Sequence, residues 1–405
     1  MRHSVRLTLF TAAVLSLAAC GKQDQASSTA ESPASVATQT GEKGVDIVKI
    51  GQVSPMTGPI SHLGKDNEFG AQLAIADLNA EGVEIGGKKV KFELVSEDDQ
   101  GDPKIGTQVA QRLVDAGVVG VVGHLNSGTT IPASRIYSDA GLPQISPSST
   151  NPDYTNQGFK TTFRMIANDI QQGGALGQYA VDSLKAKSVA IIDDRTAYGQ
   201  GLADEFEKAF KAKGGNVVKR EFTTNTATDF SAILTSIKAA QPDVVFYGGM
   251  DAQGGPLAKQ MKRLGMKAKL LGGDGLQTPE FLKLAGDASE GQYASICGVP
   301  RDKMPGFTDF NAKFKTKFNT EVQIYAPYEY DAVRVLVDSM KRAGSTDPKK
   351  YLPEVGKTNY TGVTGKVAFD NKGDIKNGAV TVYQVKNGKW EVVSTVGGEN
   401  PAGTP

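Results

Sequence analysis

Between Gly117 and Thr150 the chain twice turns briefly apolar and then small and polar. Val118-Val119-Gly120-Val121-Val122 closes on Gly123-His124-Leu125-Asn126-Ser127-Gly128-Thr129, and Leu142-Pro143-Gln144-Ile145 closes on Ser146-Pro147-Ser148-Ser149-Thr150. A helical pattern lies between, with Ile131, Ala133, Ile136 and Tyr137 on its apolar side. The stretch reads as strand, loop, helix, strand, loop. In a parallel α/β sheet such loops share one edge, and small ligands bind there. Hydroxyls and N–H groups at a helix start favour an anion. Ser127, Ser148 and Thr150 are therefore expected to hold the carboxylate end of a small solute.

The same alternation extends in both directions. A strand over 47–53 precedes a helix with Phe69, Leu73, Ala76 and Leu78 on one side. A strand over 89–95 closes on Ser96-Glu97-Asp98-Asp99, and 104–116 is helical. A second series begins near 168: helix 170–184, strand 187–192 ending in Asp193-Asp194, a helix carrying Leu202, Phe206 and Phe210, and strand 217–222. Phe230, Ile233, Leu234 and Ile237 mark a further helix. Strand 243–247 closes on Gly248-Gly249-Met250-Asp251, and Leu270-Leu271 closes on Gly272-Gly273-Asp274-Gly275. This predicts parallel sheets with helices on both faces, in two successive α/β units without a residue-level repeat. After Ile296 the pattern changes: helices over 310–318 and 330–340, strands over 367–370, 379–384 and 389–393, and turns at Asn371-Lys372-Gly373-Asp374 and Asn387-Gly388. Trp390 is expected to pack.

The N-terminus is a targeting segment. Arg2 and Arg6 precede an apolar stretch over 7–17, and Leu17-Ala18-Ala19-Cys20 has the pattern of a bacterial lipobox, cleaved before Cys20 with lipid on its sulfur. Residues 21–45 are rich in Ser, Ala, Thr and Gln and read as a flexible tether. The formal net charge is +1; Arg2 and Arg6 leave with the leader, which makes it −1. That balance suggests neither nucleic acid nor an anionic membrane surface as partner. With Cys20 lipidated, Cys297 has no disulfide partner, and its apolar neighbours point to a buried, inert thiol.

Seven pieces, GQVSPMTGPISHLG, EDDQGDPK, VVGHLNSGTTIPAS, PQISPSSTNPDYT, DDRTAYGQGLAD, DVVFYGGMDAQGG and GGDG, resemble in order and spacing the periplasmic branched-chain amino-acid binding proteins, solute receptors of ABC importers. The resemblance covers roughly 45–396. It implies an α/β fold of two Rossmann-like lobes joined by three crossover strands, the type I periplasmic binding fold. The implied crossovers fall near 163–167, 294–298 and 361–366. The implied division is a lipoprotein signal peptide over 1–19, lipidated Cys20 and tether over 20–45, lobe one over 46–165 and 298–362, lobe two over 166–297 and 363–396, and a disordered tail over 397–405.

Carried over by position, the resemblance implies that Ser127 binds a carboxylate, Ser148 and Thr150 bind carboxylate and ammonium, and Asp274 receives the ammonium, while Tyr198 closes over the ligand. Leu63, Leu125, Met250 and Tyr325 join Tyr198 around an apolar side chain. The family more often has Glu where Asp274 stands, and aromatics where Leu63 and Met250 stand. Two cysteines that bridge lobe one in the family are Gly101 and Asn126 here. The resemblance further implies an amino-acid ligand, a permease partner in the inner membrane, an exported location at the periplasm or cell surface, a monomer, and no cofactor, metal or nucleic acid. Two alternatives stay open: the same receptor fold holding an amide or an aromatic carboxylate, and a hydrolase using the cleft, for which the folded part offers His62 and His124 as histidine bases. For those two, a surface position on a helix and a satisfied place behind the loop are the plainer expectations. The acidic runs are expected to cap helices or line a polar cleft.

Overall fold

The structure, a computed structural model, describes residues 45–398. The leader, Cys20 and nearly all of the tether lie outside the described residues, as does the tail from 399; Gly397 belongs to a strand and pairs with Ala379.

The first lobe opens with β1 (Val45–Ser54), α1 (Ser61–Glu81), β2 (Glu84–Ile85), β3 (Lys88–Asp98), α2 (Pro103–Asp115), β4 (Gly120–Gly123), α3 (Ser127–Asp139), β5 (Gln144–Ser146), α4 (Asp153–Asn156) and β6 (Thr162–Arg164). Its sheet runs β2-β3-β1-β4-β5-β6. Every pairing is parallel except the β2–β3 hairpin. The second lobe follows with α5 (Asp169–Asp182), β7 (Ser188–Asp193), α6 (Ala197–Ala212), β8 (Asn216–Phe222), α7 (Ser231–Ala240), β9 (Val244–Gly248), α8 (Asp251–Arg263), β10 (Lys269–Gly272), α9 (Pro279–Ala285) and β11 (Tyr293–Ile296). The chain then returns with α10 (Phe307–Phe318), α11 (Ala326–Ala343), α12 (Pro348–Gly356) and the hairpin β12 (Tyr360–Gly362) and β13 (Gly365–Val367), before β14 (Ala379–Lys386) and β15 (Lys389–Gly397) complete the second lobe. That sheet runs β15-β14-β11-β10-β9-β7-β8, parallel except where β14 pairs antiparallel with β11 and with β15.

The local chemistry explains the boundaries. β4 and β9 are buried along their whole length, as expected of parallel strands covered by helices on both faces. Asp102 precedes Pro103 and accepts from the Lys104 and Ile105 N–H groups at 2.8 and 3.0 Å, starting α2; such a cap is worth about 1 kcal/mol. Asn168 and Gln171 form a reciprocal capping box that starts α5 at the first crossing.

The returning helix α11 packs on α1. A Cβ on Gly70 would collide with the Ala326 carbonyl, so only glycine lets the two helices approach this closely. Asp66 of α1 is buried and accepts four backbone N–H groups, from Gln323 (2.8 Å), Ile324 (3.0 Å), Tyr325 (2.8 Å) and Ala326 (2.9 Å). One carboxylate thus satisfies the start of α11 and fixes Tyr325.

The third crossing differs from expectation. Residues 361–366 fall in the β12–β13 hairpin, which packs on α11 through Asp331, the acceptor for the Val363 and Thr364 N–H groups. The chain stays with the first lobe through Val367 and crosses later, before β14. The expected strand over 367–370 reduces to the end of β13 and one bridge between Phe369 and Ile375. Turn residues dominate there, and backbone groups pair across the first crossing instead: the Arg164 N–H donates to the Gly373 carbonyl at 2.9 Å. Trp390 packs at 5.5 Å on Phe281, and its indole N–H donates to the Thr278 carbonyl at 3.0 Å.

Candidate functional site

The strand order places β1 between β3 and β4 and β7 between β8 and β9, so the crevice at the carboxyl end opens between β1 and β4 in one lobe and β7 and β9 in the other. The expected site residues follow those strand ends. Leu63 is near the start of α1, and Leu125 and Ser127 follow β4. Ser148 and Thr150 follow β5. Tyr198, Met250 and Asp274 follow β7, β9 and β10.

In the first lobe the 146–151 loop is tied down from within. Ser146 Oγ donates to the His124 carbonyl at 2.9 Å and accepts from the Ser149 N–H at 2.9 Å. Ser127 is not the helix cap; Asn126 holds that position. Ser127 Oγ instead accepts from the Asn151 N–H and the Ser149 hydroxyl, both at 3.2 Å. Ser148 Oγ donates to the Leu125 carbonyl at 3.1 Å. Beneath the loop lies Arg164, fully buried. Its guanidinium donates to the Ser149 and Asn151 carbonyls at 2.6 and 3.0 Å and pairs with Asp374 at 2.8 Å. This one side chain supports the loop that carries Ser148 and Thr150 and joins the first crossing to the third.

The second lobe centres on Asp274, 1% exposed. Its Oδ1 accepts from the Tyr198 hydroxyl at 2.8 Å and the Gln172 amide at 3.0 Å. Its Oδ2 accepts from the Tyr325 hydroxyl at 2.6 Å, and Tyr325 belongs to the first lobe. Burial, followed by the charge of Asp274, pushes both phenols well above the usual tyrosine range, so both remain donors. All three donors are neutral. A carboxylate has about four lone-pair sites, so Oδ2 keeps room for another donor. A buried carboxylate held only by neutral groups is costly until a cation meets it.

Asp169, the first residue of α5, is also fully buried. Burial, with the Asp274 charge adding to it, pushes its carboxyl up to about 8, and neither carboxylate oxygen has a hydrogen-bond partner among the described residues. The Asp169 N–H donates to the Thr150 carbonyl at 2.9 Å. Leu63, Leu125, Tyr198, Met250 and Tyr325 share one apolar cluster. Two further hydrogen bonds cross between the lobes: Asn151 Nδ2 donates to the Ala197 carbonyl at 2.6 Å, and His62 Nε2 lies 2.8 Å from Asp251 Oδ2. His62, expected on the surface of α1, is therefore half-buried between the lobes, because α8 begins opposite it.

His124 sits behind the loop, buried, between Asp99 (2.9 Å) and the Tyr137 hydroxyl (3.0 Å). The acidic runs have local partners: Glu97 pairs with Arg112, Asp98 accepts from the Met56 N–H and Thr57, and Asp193 pairs with Arg220. Cys297 is buried, and burial raises its thiol well above the usual range. Gly101 and Asn126 are neighbours, with a Cβ on Gly101 standing 3.6 Å from Asn126 Oδ1.

Four residues of the site escaped the sequence reading: Asn151, Arg164, Asp169 and Gln172. Arg164 had a signal, since it is the one charge in Phe163-Arg164-Met165-Ile166. Asp169 looks like an ordinary first-turn acid, and Gln172 like a helix surface residue.

The family model described as "Periplasmic binding protein" matches residues 47–389. A Leu/Ile/Val-binding protein homolog from Brucella abortus is 39% identical over 347 residues, covering 85% of this chain and 90% of the relative. The solved leucine binding protein of Thermotoga maritima is 31% identical with a TM-score of 0.80, covering 87% of this chain and 99% of that one. A branched-chain amino acid transporter substrate binding protein from Streptococcus pneumoniae, solved in complex with isoleucine, is 28% identical with a TM-score of 0.78, covering 87% and 99%. With that span of matched sequence and the two-lobed α/β architecture, the chain belongs to the periplasmic binding protein family.

Proposed function

We propose that this chain is the extracytoplasmic receptor of an ABC importer and binds a branched-chain or other apolar L-amino acid between its lobes. The observation that carries this reading is Asp274, a buried carboxylate whose partners are all neutral and come from both lobes. An α-ammonium supplies the missing cation, with the open Oδ2 site and the Thr150 hydroxyl as its acceptors. The carboxylate goes to the Ser127 hydroxyl, to the start of α3 and to the Ser148 hydroxyl, which turns to it from the Leu125 carbonyl; charge-assisted hydrogen bonds there contribute about 1.5–3 kcal/mol each. Leu63, Leu125, Met250, Tyr198 and Tyr325 surround the side chain, at about 0.8 kcal/mol per buried methylene. Ligand contacts on both lobes exist together only in the closed form, so binding shifts the population toward it.

The closed receptor then docks on the inner-membrane permease, as a monomer held to a membrane through lipid on Cys20. Both similar solved proteins carry names that specify leucine or branched-chain binding, which supports the ligand class. A binding role also fits the histidines: both His124 nitrogens are engaged and His62 is paired with an acid. A thermal-shift panel of amino acids tests the ligand: leucine, isoleucine or valine raises the melting temperature, and glutamate does not. An amide or aromatic acid that alone gives the shift transfers the reading to that solute.

A further inference from the structure

We propose that His62 and Asp251 form a proton-controlled clasp that holds the lobes closed over the bound amino acid. The proposal rests on the receptor reading above. The two residues lie 189 positions apart, one at the start of α1 and the other at the start of α8, and their side chains meet at 2.8 Å across the cleft. Each directly neighbours an expected wall residue in sequence, Leu63 and Met250. Opening the lobes about the crossings separates the pair, so the contact belongs to the closed form alone.

The acid is built in firmly. Asp251 is fully buried, and its Oδ2 also accepts from the Thr278 hydroxyl at 2.6 Å, while Thr278 caps α9. Its Oδ1 is buried and has no hydrogen-bond partner among the described residues. A buried carboxylate so placed gains most from a partner that carries charge. His62 can exchange protons, because it is partly exposed and lines a cavity of about 320 Å³ with Lys65, Asp66 and Glu321.

The charged groups around His62 come from four segments: Asp251 on α8, Glu280 on α9, Asp66 and Lys65 on α1, and Glu321 before α11. Acids outnumber the single lysine. Burial works against protonation, yet the hydrogen bond and charge of Asp251, with Glu280 and Asp66 behind it, hold His62 above its ordinary value. Closure and proton binding are therefore linked, and the linkage is reciprocal. The clasp is complete below the ordinary histidine value of about 6.5 and fades as pH rises through the higher value of the closed form. Ligand affinity follows the same course.

The test is leucine calorimetry from pH 5.5 to 8 on the mature protein, the His62→Gln variant and the Asp251→Asn variant. Wild-type affinity weakens about three- to tenfold across that range, the scale of one half-exposed ion pair. Both variants bind more weakly at pH 5.5 and lose this part of the slope; other titrating groups, Asp169 among them, are shared by all three proteins and cancel in the comparison. Parallel profiles for wild type and His62→Gln overturn the clasp. Small-angle scattering of the unliganded proteins reads closure without any ligand: wild type compacts as pH falls and His62→Gln does not. Wild type that shows no compaction, or compaction shared by His62→Gln, also overturns it. Absence of leucine binding in wild type overturns the receptor reading, and the scattering result still decides the clasp.

Discussion

Tyr325 and Asp274 meet across the cleft: the phenol, fixed at the start of α11 in one lobe, donates at 2.6 Å to a carboxylate of the other. The Tyr325 backbone is held in turn by Asp66 at 2.8 Å. The proposed ammonium site is thus assembled from a first-lobe hydroxyl and a second-lobe acid. Tyr325→Phe removes the hydroxyl and keeps the ring. Loss of one hydrogen bond to a charged acceptor is expected to weaken leucine about tenfold, with little change in the melting temperature of the unliganded protein. Calorimetry and thermal denaturation read the two quantities separately.

Arg164→Met tests the support under the 146–151 loop. The buried guanidinium serves the Ser149 and Asn151 carbonyls, the Thr155 hydroxyl and Asp374. Removing it leaves Asp374 without its ion partner and the Ser149 carbonyl without its donor, while the Asn151 carbonyl keeps only the Tyr154 N–H, at a cost of about 3–5 kcal/mol in denaturant unfolding. A loss below about 1 kcal/mol would show that the loop holds itself.

Asp66→Asn tests the tie between α1 and the start of α11. An amide offers one acceptor oxygen where the carboxylate uses two, Oδ1 for Gln323 and Oδ2 for three further N–H groups. Stability is expected to fall by about 1–3 kcal/mol, and leucine affinity falls with it because Tyr325 loses its anchor. Unchanged affinity in a folded variant would separate Tyr325 placement from this cap.

Asp169 gives the fold a pH dependence. Its carboxyl is held up to about 8 in the folded protein, first by burial and then by Asp274, against about 3.9 in an unfolded chain. The folded state binds the extra proton between those values. The Asp169 contribution to stability is therefore complete below about 4, declines as pH rises, and is lost above about 8. Asp169→Asn is expected to flatten this decline in urea unfolding between pH 5 and 8, and a variant that keeps the wild-type slope contradicts the assignment.

Much of this architecture was legible in the residues. Apolar runs that end in Gly, Ser or Asp marked the strands and their ligand-facing ends, because buried parallel strands need apolar side chains on both faces. The three-residue strands β5 and β6 and the short helices α4, α9 and α12 are too brief for periodicity to register, and their boundaries or existence were read less well. The third crossing was displaced because a hairpin and a bare connection share the same Gly- and Thr-rich composition. Residues that follow the strand ends could be placed there from the sequence, and the resemblance suggested roles for them. Asp169, Gln172 and the His62–Asp251 pair could not be read in the same way. Their significance comes from contacts between residues roughly 100 to 190 positions apart, which no local pattern encodes.

The most direct measurement is calorimetry of leucine and its des-amino analogue, 4-methylpentanoate, on wild type and Asp274→Asn. Wild type is expected to bind leucine and to bind the analogue at least about 100-fold more weakly, the loss of a charge-assisted contact in a buried site. Asp274→Asn is expected to bind leucine about as poorly as wild type binds the analogue. Its unliganded melting temperature stays close to wild type or rises, since the buried uncompensated charge is gone. Leucine affinity that is unchanged in Asp274→Asn, or equal wild-type affinity for leucine and 4-methylpentanoate, would contradict the account.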